Sequence, residues 1–409
     1  MKTPCGRAFR PDCEAAGQSD RESDRESGLK ALLPPMINRR HVLAGLGALA
    51  LCPFTNRARA DEDAPRYSAL ALQTLCDAVN QDATAEAARA RMMASIRRIA
   101  GQVASAKGFL KTFNGSELRL VVLPEYYLTG FPLRESREEW KAKAAVDIGG
   151  PEYEALAGIA ERFGVYLAGN LYENDPAFPE LYFQANTVIA PNGDTILRYR
   201  RMISLYTPTP WDVWDDYLAR YGADAVFPVA RTGIGTLGTI ASEEILYPEI
   251  ARMTAMKGAE ILLHHTSEVG SPLQTKKDVM KRARAIENMA YVVSANTAGI
   301  AGTPLPSASA DAMSKVVDWE GKVLGEAESG ESVNANAILD LPALRAARRR
   351  TGMANLLSRQ PWGAYESAYA DTDWAPHGTM AEGRMLSQQA VIERQRAIIE
   401  RLREDGVLR

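Results

Sequence analysis

An α/β layered domain is what this sequence predicts, and three observations predict it. Apolar runs of strand length alternate with segments of helical spacing from about residue 66 to 340. Clusters such as Pro191-Asn192-Gly193-Asp194 punctuate them as turns. The composition, 46% hydrophobic and 24% charged over 409 residues, is that of a folded chain whose core needs no disulfide support, which excludes disorder or collagen-like order for its bulk.

The first sixty residues carry targeting signals and are set apart from the fold. Residues 1–35 are polar and repetitive, as in Arg21-Glu22-Ser23-Asp24-Arg25-Glu26-Ser27, and read as disordered or as preceding a true start at Met36. Arg39-Arg40, the apolar small-residue run 44–51 and Ala58-Arg59-Ala60 then follow as a twin-arginine pair, an h-region and an A-x-A cleavage pattern. A buried helix would need caps and an amphipathic face, and the segment has neither. An exported, periplasmic protein starting at Asp61 is expected. Without residues 1–60 the chain holds 38 basic and 45 acidic residues, net −7, so no basic field gathers nucleic acid.

The domain itself is read over residues 61–350. Residues 68–76 form a strand, and 85–107 a helix with Met92, Ile96, Ile99 and Val103 on one face. The run 118–123, broken only by Arg119, is a buried strand that delivers Pro124-Glu125 at its end. A helix at 152–163 and strands at 165–170, 186–190 and 195–199 follow. The second half repeats the alternation with strands at 236–241, 261–264 and 291–296 and helices at 245–257 and 276–289. Strands at 314–318, 322–325 and 335–339 close the domain. The tail 351–409 is aromatic and turn-rich over 361–376, then helical over 380–404; such a helix is marginal alone, so the tail is read as an oligomer contact. No run of 18 apolar residues marks a membrane span.

Leu123-Pro124-Glu125-Tyr126, Tyr199-Arg200-Arg201 and Tyr247-Pro248-Glu249 with Arg252, followed by Gly258-Ala259-Glu260, stand in a fixed order. With Arg284-Ala285-Ile286-Glu287-Asn288, Ala295-Asn296, Ser314, Asp318, Gly321 and Asp340-Leu341, they make residues 66–350 resemble the nitrilase superfamily of carbon–nitrogen hydrolases. The resemblance implies a four-layer α-β-β-α sandwich that assembles into dimers or larger homo-oligomers. It implies hydrolysis of small non-peptide amides or nitriles by a Glu, a Lys and a Cys, with no metal and no cofactor. The thiolate attacks carbon, the glutamate moves protons and the lysine stabilises the developing charge. Carried over residue by residue, the base is Glu125 and the second, orienting glutamate is Glu173. Arg201 fills the lysine position, and Ser242, six residues before Pro248, fills the cysteine position.

Two of those positions depart from the pattern. Arg201 keeps a positive charge but cannot give up a proton. A serine hydroxyl must be deprotonated during attack, whereas a thiol is already partly thiolate at neutral pH. No cysteine follows Cys76, which reads as a small buried hydrophobe, so the thiol is absent and not displaced. His264 and His265 end a strand and point to opposite faces, so neither is placed as a substitute base.

The other candidates carry competing explanations. Glu173 sits among Asn174 and Asp175, where an exposed acid is nearly as good an account. Glu243 and Glu244 open a helix, where acids serve the dipole. Trp211 and Trp214 are read as packing or as walls shaped by a loop or neighbouring subunit, with Tyr126, Tyr206 and Glu243 as further pocket residues. Arg348-Arg349-Arg350 reads as a solvated helix end or a subunit contact. Three functions stay open: a hydrolase with altered chemistry, in which Ser242 attacks poorly or Glu125 activates water directly; an inactive protein that binds a small amide, nitrile or carboxylate; and an assembly scaffold.

Overall fold

A computed structural model describes residues 65–409 except 269–273, 312, 371 and 373. The start at Met36, the twin-arginine pair and the cleavage site therefore lie outside the described residues.

Period-two burial builds the first sheet. In β1 (Arg66–Ala71), Tyr67, Ala69 and Ala71 join the central core, while Leu70 packs with the helices on the other side. Residues 72–75 leave the sheet, and Cys76–Asp77 (β2) pairs instead with Ile300–Ala301, so the single strand expected over 68–76 is two short strands in two sheets. Helix α1 (Ala85–Asn114) starts at Thr84, whose side chain accepts from Ala87 N at 3.1 Å. It runs seven residues past its expected end because Leu110 continues the apolar face, and it stops at Gly115, φ 63°.

Then come β3 (Leu118–Val122), α2 (Arg137–Ala144), β4 (Val146–Asp147), α3 (Pro151–Phe163), β5 (Tyr166–Asn174), β6 (Tyr182–Ile189) and β7 (Thr195–Arg200). The first sheet has the order β15-β1-β3-β5-β6-β7, with β4 beside β5; β15 (Asn336–Asp340) runs antiparallel to β1. Helices α1 and α3 cover its outer face through Met92, Ile99, Leu156 and Ile159.

After α4 (Trp214–Tyr221), the second sheet uses β8 (Ala230–Thr232), β9 (Gly235–Ala241), β10 (Ile261–His265), β11 (Tyr291–Ala295), β13 (Lys315–Val317) and β14 (Val323–Glu326), in the order β14-β13-β11-β10-β9-β8; β12 is the Ile300–Ala301 strand. Helices α5 (Pro248–Met256) and α6 (Lys276–Asn288) pack on it through Ile250, Ala251 and Ala285. Helix, sheet, sheet, helix is the four-layer sandwich. The helix expected at 245–257 opens as a 3-10 turn over Ser242–Leu246, and Pro248 at its first turn begins the α-helix proper.

Helix α7 (Leu341–Arg349) corrects the reading of the basic run. Arg348 is no solvated helix end: its guanidinium donates to Met289 O at 2.8 Å and Ala259 O at 2.6 Å, capping the end of α6. Burial pushes its pKa down to about 10 against the opposing pull of Glu260. The tail also differs from expectation. Trp362–Ala370 (α8) is helical, and the last helix, α9 (Gln388–Glu404), begins eight residues late because Gly383 takes φ 77° and Ser387 supplies the N-cap. Within the chain, Arg394 of this helix pairs with Asp212 at 2.6 Å, and Trp211 Nε1 donates to Ala375 O at 3.2 Å, contacts that leave the expected oligomer role of the tail open. Among the described residues no helix is long and apolar enough to cross a membrane.

Candidate active site

The chain leaves β3 through Leu123-Pro124 and at once buries Glu125, which is 1% exposed. Its carboxylate accepts from Gln184 Nε2 at 2.8 Å and Arg201 at 3.4 Å on Oε1, and from Ser267 Oγ at 2.8 Å on Oε2. A buried carboxylate needs such donors to offset its lost hydration. The next residue, Tyr126, takes φ 63°, and its carbonyl accepts from Thr129 N, Gly130 N and Cys76 Sγ, which clamps the turn. Cys76 is fully buried, and burial pushes its thiol up to about 12, so it supplies no thiolate. Gly169 on β5 leaves room for the ring of Tyr127, since a Cβ there would meet the phenol oxygen at 2.9 Å.

Arg201 follows the end of β7. Its Nε donates to Ile203 O at 2.7 Å, Nη1 to Gln184 Oε1 at 2.7 Å and to Glu125, and Nη2 to Glu243. Burial opposes its charge, but Glu125, Tyr126 and Glu243 reverse that and raise its proton affinity, so it stays cationic.

Ser242 directly follows β9 with φ 47°, a left-handed conformation that a non-glycine residue holds only at a cost of about 1–3 kcal/mol. Three groups impose it. The Glu244 carboxylate accepts from Ala241 N at 3.1 Å, Met202 N at 2.7 Å, Ile203 N at 3.0 Å and the Tyr199 hydroxyl at 2.8 Å, which ties the Ser242 turn to the segment carrying Arg201. His264 Nε2 lies 2.9 Å from Ser242 O and must donate to it, leaving Nδ1 to accept from Ser294 Oγ at 2.8 Å. Arg284 Nε donates to Ile245 O at 2.8 Å. Glu244 is thus a buried clamp and not an acid placed for a helix dipole; its burial raises its pKa, with Arg201 opposing.

Glu125, Arg201 and Ser242 line one cavity of about 460 Å³, with Tyr126, Tyr206 and Glu243 as walls. Lys277, at the start of α6, enters the same cavity: its Nζ donates to Ser242 Oγ at 3.0 Å and to Thr266 Oγ1 at 3.3 Å.

Two expected site residues do not join this group. Strand β5 runs on to Asn174, four residues past its expected end, so its alternation continues. Asn170 and Tyr172 then share the face toward the second sheet and Glu173 takes the other, where it accepts from the Tyr153 hydroxyl and from Arg198 Nε at 3.0 Å. Glu173 is fully buried, and neither an exposed acid nor a neighbour of Glu125. Trp211 lies in the 3-10 turn Pro210–Val213, where Thr209 and Asp212 cap one another, and it packs on Trp214 and His377 away from Ser242.

Sequence reasoning also missed the amides that cross between the sheets. Gln184 Nε2 donates to Asn170 Oδ1 at 3.0 Å, Asn170 to Asn186 at 2.7 Å and Asn186 to Thr239 Oγ1 at 2.8 Å. Asn170, Gln184 and Asn186 recur at even spacing on strands that are otherwise apolar inward, and that polar parity is the signal that exposes them. Lys277 carried no such signal, because Lys276-Lys277 reads as an ordinary polar helix start.

The model for the family described as Carbon-nitrogen hydrolase matches residues 78–349. A formamidase of Bacillus cereus strain Q1 is 28% identical over 203 residues, which are 48% of this chain and 57% of the formamidase. The chain thus spans little more than half the length of such curated relatives. Among solved structures, a carbon-nitrogen hydrolase from Helicobacter pylori G27 superposes with TM-score 0.56 at 22% identity, covering 74% of this chain and 98% of that one. A double mutant of the amidase from Nesterenkonia sp. AN1, in complex with acrylamide, gives TM-score 0.51 at 19% identity, covering 74% and 97%.

His265, fully buried with Nδ1 2.6 Å from Leu123 O, links the second sheet to the strand that carries Glu125. Burial lowers its pKa to about 4, with the Leu123 hydrogen bond and Glu125 opposing. The unfolded imidazole titrates near 6.5, so on acidification the unfolded chain takes up the proton first. Stability is therefore complete above about pH 6.5 and falls by about 3 kcal/mol toward pH 4 from this group. Urea unfolding of wild type and His265→Asn at pH 7.5 and 4.5 checks this, the variant losing less on acidification.

Proposed function

We propose, from the premise that this chain belongs to the carbon–nitrogen hydrolase family, that it hydrolyses small non-peptide amides in the cavity beside Ser242. The observation that carries the reading is the convergence of Glu125, Arg201 and Ser242, from three separate strand ends, on one cavity of about 460 Å³. A space of that size is more than enough for a small amide and leaves room for a substituent on it. The names of its relatives, a formamidase and an amidase holding acrylamide, favour an amide over a nitrile.

In this reading Ser242 Oγ attacks the amide carbon, its proton passes to the leaving nitrogen, the C–N bond breaks, and ammonia departs to leave an acyl ester on the serine. Arg201, kept cationic by its carboxylate neighbours, supplies positive potential for the oxyanion. Water then attacks the ester. Glu125 takes its proton and returns it to Oγ as the C–O bond breaks, releasing the acid.

Ammonia release from formamide, acetamide and acrylamide by the purified chain tests the proposal. Wild type releases ammonia, Ser242→Ala does not, and Glu125→Gln loses about 10²- to 10⁴-fold. Equal release by wild type and Ser242→Ala overturns it. Amide binding without any release favours the binding-only reading, to which the full hydrogen-bonding of Glu125 lends support.

Export is part of the same proposal, supported by Arg39-Arg40, the apolar run and Ala58-Arg59-Ala60. N-terminal sequencing of periplasmic protein is expected to start at Asp61, and Arg39→Lys with Arg40→Lys to hold the precursor inside. Light scattering on that mature protein is expected to report a homo-oligomer, for which exposed Phe113 and Met353 supply apolar surface.

A further inference from the structure

We infer that Lys277 is the base that activates Ser242, a role that rests on the reading of Ser242 as nucleophile. Exchanging a thiol for a hydroxyl creates a chemical requirement, since the hydroxyl proton has to leave during attack. A base must lie within hydrogen-bond reach of that proton. Among the described residues, the one titratable side chain that bonds Ser242 Oγ is Lys277, at 3.0 Å. His264 spends both ring nitrogens on Ser242 O and Ser294 Oγ. Glu125 bonds Gln184, Arg201 and Ser267 and makes no hydrogen bond to Ser242 Oγ.

The amino group is also aimed. Thr266 Oγ1 gives it a second contact at 3.3 Å, the orienting group that an activating base requires. Helix α6 is pinned where Lys277 leaves it: Thr275 caps the helix through Asp278 N at 3.0 Å and bonds Glu268, and Lys281, fully buried, pairs with Glu268 and donates to Met313 O at 3.0 Å. Lys315 pairs with Asp278. The contrast between the lysines is informative. Lys281 and Lys315 are held by carboxylates, whereas the bonds of Lys277 go to two hydroxyls.

The step balances. In its amine form Nζ keeps its N–H toward Thr266 and turns its lone pair to the hydroxyl, so that the 3.0 Å contact runs from Oγ–H to Nζ; the lone pair then takes the Oγ proton as Oγ bonds the amide carbon and the carbonyl π pair moves to oxygen. The tetrahedral intermediate collapses, the C–N bond breaks, and the leaving nitrogen takes that proton from Nζ. Ammonia departs, an acyl-serine remains, and Lys277 is neutral again. The charged and titratable groups around the pair are Glu125, Arg201 and Glu243 in the same cavity, His264 beneath Ser242, and Lys276, Asp278 and Lys281 on the lysine's own helix, with Glu268 behind.

The test follows acylation of the full chain by p-nitrophenyl acetate, read as nitrophenolate burst and as the acetylated Ser242 peptide by mass spectrometry. Lys277→Met and Lys277→Arg are expected to slow acylation by about 10²- to 10⁴-fold. Both are expected to lose the pH dependence of the wild-type burst, and added propylamine is expected to restore acylation in Lys277→Gly. Arginine keeps the charge but cannot accept a proton, so full acylation by Lys277→Arg overturns the assignment, even if the methionine variant misfolds. Unchanged rate and pH profile in Lys277→Met overturn it too. Absence of any Ser242 adduct in wild type overturns the serine reading itself, a result distinct from an adduct that forms without Lys277.

Discussion

A carboxylate and a guanidinium buried together between two sheets are the constraint on which the rest of this site depends. Glu125 is 1% exposed and Arg201 7%, and removing both from water costs several kcal/mol per ion unless every lone pair and N–H is answered. The surroundings can be read as those answers. Gln184 bridges the two ions, Ser267 closes the far carboxylate oxygen, and Ile203 O and Glu243 take the outer guanidinium. Gln184 must itself be satisfied, and Asn170, Asn186 and Thr239 carry that demand across the gap to the second sheet. A polar line through an apolar interior is the consequence of one ion pair.

The same logic explains the backbone at Ser242. A positive φ on serine persists only where neighbours overdetermine it. Glu244, in the same turn, does so by reaching across to the segment that leaves the first sheet, and His264 does so from the second, so the turn is tied to both sheets at once. The two sheets are therefore locked in register where the cavity opens. A small displacement of either would misplace the hydroxyl against Glu125.

What was legible in the sequence was what depends on periodicity and on local order. The strands around Glu125, Arg201 and Ser242 were read to within a residue or so at the ends that deliver those side chains, because apolar runs stop where the chain must present polarity. Glu173 was misplaced because its face depends on the parity of a strand whose length was underestimated by four residues. Trp211 was misplaced because a 3-10 turn and the docked tail settle its direction, and neither has a pattern in the sequence. Arg348 looked solvated because its partners, Ala259 and Met289, are far away in the chain. Lys277 was invisible for the same reason, lying 35 residues from the hydroxyl it touches.

The two departures from the family pattern become one change once Lys277 is in view. A lysine at the end of β7 could both hold charge and exchange a proton, but arginine there can only hold charge, and four hydrogen bonds fix it in that task. A thiol is already partly ionised at neutral pH, so a site built around cysteine asks less of its base than one built around serine. In the proposed reading the amine that exchanges the proton is Lys277 on α6, in contact with the hydroxyl, and the purely electrostatic cation is Arg201 just past β7, in contact with Glu125. On that proposal, charge stabilisation and proton transfer, which a single lysine can combine, are divided between two residues, and the serine is the reason the division is needed.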